Sequence, residues 1–367
     1  MPYAIKQKRN GFSLVEVMVG MVIGMLVMLI IYQLYTTFEG QKRTSTGGAE
    51  TQENGVYALS AIGRDIRMSG WGISNSPLLN CSTPFTYSSA NNGPIASNLS
   101  IMPVHITDGG TGPDTITMMT GMAGAANAPL TVIDVIGNGS NVEFKTNSQA
   151  GLNVGDMVWM VQGNQCTLSQ LTNLQGSAGH VQRNPGKAGT VSYNPPASYK
   201  NSVSWPQETG WKLYDVGPMM LRTYSVVSNT LQATDLGSTT AASLDSNIVS
   251  IKAQYGITST TVGDQSVANW VSATGSSHIG VAGTTWASPA PADVLRIKAI
   301  RLAVVARSPL LEKPAPNGGV CATTTAAPTT WSGGPTIDLS ADSQWKCYRY
   351  KTFQTIIPLR NVLWSNL

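Results

Sequence analysis

The sequence has 367 residues, a mass of 38.8 kDa and a formal net charge of +4, which leaves room for one large domain or two ordinary ones. Charged residues make up 11% of it, against about 25% in an ordinary soluble domain. Lys6, Lys8 and Arg9 lie in the first ten residues, and the remainder holds 20 basic against 19 acidic residues. The composition therefore argues against nucleic-acid binding, a charge-rich coiled coil and a typical cytosolic enzyme, and it suits a β-rich chain that works outside the cytoplasm.

An apolar run of twenty residues, Phe12 to Ile31, follows the basic start and contains one charge, Glu16, and no proline. A helix of this length spans about 30 Å, the thickness of the hydrocarbon core of a bilayer. Because the basic residues precede the run, the positive-inside bias keeps the N-terminus in the cytoplasm and carries the chain beyond Tyr32 across the membrane. A signal peptide is the ordinary alternative, but its apolar region is usually about 7–15 residues long. A plain single-pass anchor is the other.

Glu16 is the feature that neither alternative explains. An ionised carboxylate in an apolar membrane helix costs about 3 kcal/mol or more unless a cation pairs with it. The segment Lys8–Glu16, KRNGFSLVE, resembles the processing site of type IV prepilins, in which a short basic leader ends in Gly and Glu is the fifth residue of the mature chain. The resemblance implies that a membrane peptidase cuts after Gly11 and methylates the amine of Phe12. That amine is then a natural counter-charge for Glu16 on a neighbouring helix, and the pair would fix the register between subunits.

Two further glycines, Gly20 and Gly24, form a G-x-x-x-G motif within the apolar run. Small residues at this spacing let helices approach closely, so the motif predicts helix packing in a filament core. The alternative is a membrane helix that merely tolerates glycine.

The helix is predicted to continue to about residue 68, because apolar residues from Val56 to Ile66 recur at helical spacing. A kink or short break is expected near Gly47 and Gly48, since each glycine costs about 1 kcal/mol relative to alanine. The run Ser69–Gly72, SGWG, is typical of a helix end.

From Trp71 onward the sequence predicts strands and turns. Strands are expected at residues 114–118, 131–136, 157–161, 249–257 and 300–306. The last two alternate with period two, which predicts a sheet with one buried face, packed on the C-terminal half of the long helix. Three stretches are expected to be long loops: Gln162–Ser204, Thr258–Ala290 and Pro309–Ser340. The predicted fold class is α+β and pilin-like, with a long helix on an antiparallel sheet and an enlarged β-rich, loop-rich head.

Several segments in the head resemble the PilW-type minor pilins of type IV pili, and the chain is longer than a usual major pilin. These segments are Ala61–Arg67, Val154–Val158, Ile248–Gly256, Ile300–Ser308 and Phe353–Asn361. The resemblance implies a low-abundance, non-catalytic subunit that joins other minor and major pilins in a priming complex at the pilus assembly platform. It also implies a place at the pilus tip, with a large tip adhesin as the usual companion.

The chain is therefore expected to have four parts: a prepilin leader (1–11), a transmembrane and filament-core helix (12–32), the extramembrane half of the long helix (33–70) and a globular head (71–367). The expected location is the bacterial inner membrane before assembly and the pilus and cell surface afterwards. Two other interpretations stay open. One is a large pseudopilin of type II secretion, which uses the same leader and Glu. The other, of a different class, is a membrane-anchored surface enzyme or binding protein.

Four cysteines, Cys81, Cys166, Cys321 and Cys347, are expected to form two disulfides in an exported head, and three connectivities are open. Cys321–Cys347 is favoured because it would hold the Pro/Thr/Gly-rich loop to the last strands, which leaves Cys81–Cys166. Free buried thiols are the alternative. Because there is no C-x-x-C motif, neither structural zinc nor thioredoxin chemistry is expected.

Catalytic and ligand-binding signals are weak. His105, His180 and His278 are isolated in the sequence, and neither H-E-x-x-H nor G-x-S-x-G occurs. Asp108 and Asp114 could bind calcium, but the EF-hand pattern is absent and turn capping is the favoured role. Tryptophans in loop-like sequence are candidates for a contact surface, although core filling is their ordinary role: Trp205, Trp211, Trp286 and Trp331. No cofactor and no metal is expected.

Overall fold

A computed structural model describes residues 11–74, 76–96, 99–122, 129–136, 142–176, 179–186, 191–259, 263–312 and 320–365. Its strands, in chain order, are β1 (Thr83–Phe85), β2 (Val104–Thr107), β3 (Thr115–Thr120), β4 (Leu130–Ile136), β5 (Glu143–Thr146), β6 (Met157–Gln162), β7 (Gln165–Gln170), β8 (Asn173–Gln175), β9 (His180–Gln182), β10 (Lys212–Gly217), β11 (Met220–Val227), β12 (Thr230–Asp235), β13 (Ala242–Ser246), β14 (Ile248–Ile257), β15 (Asn269–Val271), β16 (Ile297–Arg307) and β17 (Tyr350–Pro358). The helices are α1 (Leu14–Met68), α2 (Ser76–Leu79), α3 (Ala197–Ser202), α4 (Pro291–Val294) and α5 (Arg360–Ser365), with a short 3-10 helix at Trp345–Cys347.

The helix α1 is continuous over 55 residues, so the predicted break near Gly47 and Gly48 is wrong. Gly47 is buried, and a Cβ at this position would lie 3.6 Å from Ser308 Cβ. The next turn of the helix is also stabilised by a side chain, because Thr51 Oγ1 donates to the Gly47 carbonyl at 2.6 Å. Contact with the head thus offsets the low helix propensity of glycine, as tertiary packing often does.

The end of α1 is where the sequence predicts it. The Ser69 amide donates to the Asp65 carbonyl at 3.0 Å. Gly70 and Gly72 have φ of +85° and +70°, a region that glycine enters without the steric cost of a Cβ. The chain therefore leaves the helix sharply and enters the head.

The strands form three sheets, and their pairing, antiparallel except between β1 and β7, confirms the predicted α+β, pilin-like class. The largest sheet has the order β1-β7-β6-β10-β4-β5-β9-β8, the second β13-β12-β11-β3-β2 and the third β15-β14-β16-β17. The third sheet packs on the C-terminal half of α1, as expected, with Phe353 and Ile357 of β17 against Ala58, Ile62 and Ile66 in one core.

The expectation that this sheet buries a single face is wrong. Every residue of β14 is buried except Gln254, which is half-buried, and β16 is buried except at the half-buried Arg301 and Arg307. On the face away from α1, Ile337 from the loop after β16 packs against Val249 and Val305. The alternation in the sequence predicts the strands but not the loop that covers their second face.

The three predicted loops have different outcomes. The prediction for Gln162–Ser204 is wrong, because this stretch contains β7, β8, β9 and α3. These elements are three to six residues long, too short for a period to show in the sequence. The described part of Thr258–Ala290 is irregular except for β15 and the isolated bridge Thr285–Ser288, and the described part of Pro309–Ser340 has only the isolated bridge Thr329–Thr336.

Two disulfides join distant parts of the head. Cys81 is bonded to Cys166 of β7, with their Cα atoms 5.7 Å apart. Cys321 is bonded to Cys347, with Cα atoms 4.9 Å apart, and this bond ties the loop after β16 to the segment that precedes β17.

Candidate assembly site

The N-terminal half of α1 stands free of the head. All residues from Phe12 to Tyr35 are exposed, and the most apolar 18-residue window has a mean hydropathy of 2.7 with none of it buried. Hydrogen bonds to the head begin at Arg43, whose Nη2 donates to the Leu311 carbonyl at 3.1 Å. An apolar surface of this length is unfavourable in water, so other apolar groups have to cover it. Its length and composition fit a bilayer or a bundle of similar helices.

The first turn of α1 contains the predicted assembly residue Glu16, and the predicted processing residues come just before it. Ser13 is the N-cap, and its Oγ accepts from the Val15 amide at 3.4 Å. Glu16 lies in this first turn, where the partial positive charge of the helix N-terminus favours an acid. Gly11 and Phe12 precede the cap and are exposed, with Phe12 83% exposed, so the Gly11–Phe12 bond lies outside regular structure.

Glu16, Gly20 and Gly24 lie on one face of α1, because residues four apart follow one another along a helix. A Cβ on either glycine would meet nothing within 4 Å among the described residues. A neighbouring helix that packs along this glycine groove would therefore pass close to the Glu16 carboxylate. The structure places the three predicted residues together and leaves their face uncovered.

The C-terminal half of α1 also has small residues at its contact surface, and here they pack against the head. Its buried face contains Gly47, Gly55 and Gly63 at intervals of eight residues. A Cβ on Gly55 would overlap the Phe353 ring, and one on Gly63 would lie 3.5 Å from Ile357 Cδ1. The eight-residue spacing of these three glycines is the signal in the sequence that could have revealed a packing face.

In addition to the glycine face, Asp65 connects α1 to the head through hydrogen bonds. Its carboxylate is 1% exposed and its Oδ2 accepts from Arg222 Nη1 at 2.9 Å and from the Tyr224 hydroxyl at 2.8 Å, both on β11. Arg222 also binds Asp235 through Nε and Nη2 at 2.5 and 3.0 Å. Burial and the Asp65 carboxylate raise the pKa of Tyr224. Sequence reasoning missed this site, because Arg222 and Tyr224 are 157 and 159 positions away from Asp65 in the chain.

Asp108 and Asp114 form ion pairs with Lys252. Lys252 Nζ lies 2.6 Å from Asp114 Oδ1 and 3.5 Å from Asp108 Oδ1, and Asp114 also accepts the Gly109 and Ala253 amides at 3.0 and 2.8 Å. The Lys252 ammonium supplies the positive charge that a calcium ion would bring. Within the described ranges, no group of three or more His, Cys, Asp or Glu residues is arranged to hold a metal.

The loop tryptophans do not form a contact surface. Trp205, Trp211, Trp286 and Trp331 are all buried, so the core-filling role is correct and the contact role is wrong. The histidines lie apart from one another: His180 Nδ1 bonds to Glu143, His105 Nε2 donates to the Ala287 carbonyl at 3.1 Å, and His278 lies in a turn with φ of +59°.

A free apolar helix that begins at a capped, acid-bearing turn and ends on an antiparallel sheet fits the pilin-like class. Consistent with this, residues 6–32 match the prokaryotic N-terminal methylation motif. Residues 214–361, from β10 to α5, match the type IV pilus-assembly protein W family, and the two matches together support a PilW-type minor pilin. Searches of curated proteins and of solved structures each returned no match. A pilus-assembly family with a prepilin motif implies contact with other pilins and with the assembly machinery.

Proposed function

We propose that this minor pilin belongs to the complex that primes type IV pilus assembly and stays at the pilus tip. The observation that carries the proposal is the glycine groove of α1, which ends at Glu16 and has no cover among the described residues. A subunit whose helix must be covered by other helices, and whose large head differs from a simple pilin head, is suited to start or cap a filament.

The proposed mechanism is non-covalent. The prepilin peptidase removes residues 1–11 and methylates the Phe12 amine, which leaves a cation next to an apolar helix. That cation and Glu16 of adjacent subunits pair, and the pairing offsets the cost of a lone carboxylate in lipid, about 3 kcal/mol. The chain serves as a substrate of the peptidase and the assembly platform, and its own role is structural, with no reaction of its own.

The proposed locations follow from this mechanism. The chain first spans the inner membrane once, with its N-terminus in the cytoplasm, and later lies in the filament with its head at the cell surface. There it would present a large tip adhesin, and its loss would reduce cell adhesion and twitching motility.

Mass spectrometry of sheared filaments tests the proposal. The expected result is a chain that begins at N-methylated Phe12 and is far less abundant than the major pilin. Recovery of the uncut chain from the membrane alone would contradict it. Deletion of the gene separates the pilus from the secretion alternative: loss of filaments supports the proposal, whereas loss of enzyme export with normal filaments would support a type II pseudopilin.

A further inference from the structure

The edge of the third sheet that is formed by β17 differs from the other edges of the three sheets. Five edge strands are three to five residues long, whereas β17 has nine residues. Short edges, charged residues and prolines are the usual means by which proteins prevent foreign strands from adding to a sheet. β17 has a single charge, Lys351, and its only proline is its last residue, Pro358. It is therefore the least protected edge among the described strands.

The hydrogen-bond register shows which backbone groups face away from β16. Just beyond the two ends of β17, the Leu359 amide donates to the Lys298 carbonyl and the Ser308 amide to the Arg349 carbonyl, both at 2.8 Å. In an antiparallel pair alternate residues bond to the partner strand and the others point away from it. By this alternation and the observed register, the odd-numbered residues of β17 bond to β16. Thr352, Gln354 and Ile356 therefore direct their backbone groups outward, and no described backbone group bonds to these N–H and carbonyl groups. The Thr352 side chain does make one contact, since its Oγ1 donates to the Thr329 carbonyl at 3.0 Å.

Arg301 lies opposite Ile356 in this register. Its guanidinium carbon is 4.3 Å from the ring centroid of Trp270 and 5.4 Å from that of Trp331. A Cβ on Gly256 would lie 2.7 Å from Trp270, so the glycine makes room for the indole. Burial lowers the pKa of Arg301, and within the described chain the guanidinium has these two rings but neither a carboxylate nor any other hydrogen-bond acceptor. Its N–H groups are thus available to a planar acid.

The third sheet also carries an excess of positive charge. The four strands from β14 to β17 contain no Asp or Glu and five cations: Lys252, Lys298, Arg301, Arg307 and Lys351. Lys252 pairs with Asp114 and Arg307 with Asp342, which lie outside the sheet. An acid supplied from outside the sheet would pair with Arg301 in the same way.

We propose that the free edge of β17 and Arg301 form one docking site for an extended segment of a different pilus subunit. The segment adds to the sheet as a fifth strand, bonded to the outward groups of Thr352, Gln354 and Ile356, and it places a carboxylate against Arg301. Main-chain bonds supply affinity in such strand addition, and side chains supply specificity. Two copies of this chain fit less well, because each would bring a basic edge without an acid. The identity of the neighbour as a pilus subunit rests on the function proposed above.

The test uses the full-length chain in piliated cells, with a photoreactive residue in place of Ile356, which is 56% exposed. The expected crosslink joins this position to a strand of another pilus subunit, with an Asp or Glu nearby. Gln354→Pro removes one outward N–H and leaves the bonds to β16 intact. It should lower the crosslink yield at least tenfold, whereas the matched variant Gln354→Ala keeps the N–H and should change the yield less than twofold.

Arg301→Glu tests the charge separately and keeps the proposal testable if Gln354→Pro impairs folding. It should lower the yield at least tenfold, and Arg301→Lys should retain part of it. Charge reversal of the acid in the crosslinked segment should restore the yield of Arg301→Glu.

Four outcomes would overturn the inference: no crosslink, a crosslink between two copies of this chain, a crosslink to a helix, or a yield that neither Gln354→Pro nor Arg301→Glu changes. Failure of the inference and of the proposed function remain distinct. A chain present in sheared filaments without the crosslink refutes only the docking site, and a chain absent from filaments refutes the proposed function.

Discussion

Between Phe12 and Tyr35, α1 leaves its apolar side chains exposed, whereas between Gly47 and Ile66 it buries a face that contains glycine, threonine, alanine and isoleucine. Both regions include glycines at multiples of four residues. In the C-terminal region the close neighbour is present, because Phe353 and Ile357 lie against Gly55 and Gly63. In the N-terminal region no neighbour is present among the described residues. One helix therefore has two glycine-bearing faces: one packs against its own head and, by our proposal, the other packs against other subunits.

The largest expected effect on the attachment of the head comes from Asp65→Ala. It leaves Tyr224 without its acceptor and removes one of the two carboxylates of Arg222. Removal of one partner from a buried pair costs about 3–5 kcal/mol, and we expect the lower end because Asp235 remains. Thermal or denaturant unfolding of the full chain in detergent measures the loss. The matched variant is Arg64→Ala: Arg64 Nε lies 3.3 Å from Asp65 Oδ1, but the Arg64 side chain is 68% exposed. Loss of this solvent-exposed partner should change stability by about 0.5 kcal/mol at most.

Glu16→Ala acts on the other region and should leave the stability of the head unchanged. The substitution leaves the partner's amine without its acid, a cost of about 3 kcal/mol, which corresponds to about a hundredfold loss from sheared filaments. Cleavage after Gly11 should continue. Quantitative mass spectrometry of filaments and membranes measures both quantities, and normal filament levels of the variant would argue against the charge pair.

Gly55→Ala and Gly48→Ala should have opposite signs. A Cβ at position 55 overlaps the Phe353 ring, whereas one at position 48 meets nothing within 4 Å. Overpacking typically costs about 1–3 kcal/mol, while alanine in place of an exposed helical glycine stabilises by about 0.5–1 kcal/mol. Unfolding of the two full-length variants under the same conditions measures the difference. Equal effects would show that the glycines of α1 do not mark a packing face.

The smallest effect is a pH dependence confined to the head. Burial, with a smaller contribution from Asp156, raises the pKa of Asp215 from 3.8 to about 6. The folded state therefore binds the proton more tightly than the unfolded state, and this contribution to stability is lost as pH rises from about 4 to 6. The slope is at most about 1.4 kcal/mol per pH unit. Asp215→Asn should flatten the stability curve in this range, and an unchanged slope would exclude Asp215 as its cause.

Much of the helix and of the candidate site was predictable from local features. The Gly11–Phe12 junction, Glu16 and the G-x-x-x-G spacing all lie within fourteen consecutive residues. β14 and β16 show period two because they are ten and eleven residues long. The short strands between Gln165 and Gln182 were not predictable, because three to six residues give no period.

The amino-acid sequence by itself determined the membrane helix, its acid and its exit into a β-rich head, because hydropathy, charge and helix capping act between neighbours in the chain. Only the tertiary structure decided which face of α1 meets the sheet, that the loop after β16 covers the other side of that sheet, and that Asp65 meets Arg222. The physical reason is that these contacts join residues far apart in the chain, and their geometry depends on the packing of the whole head.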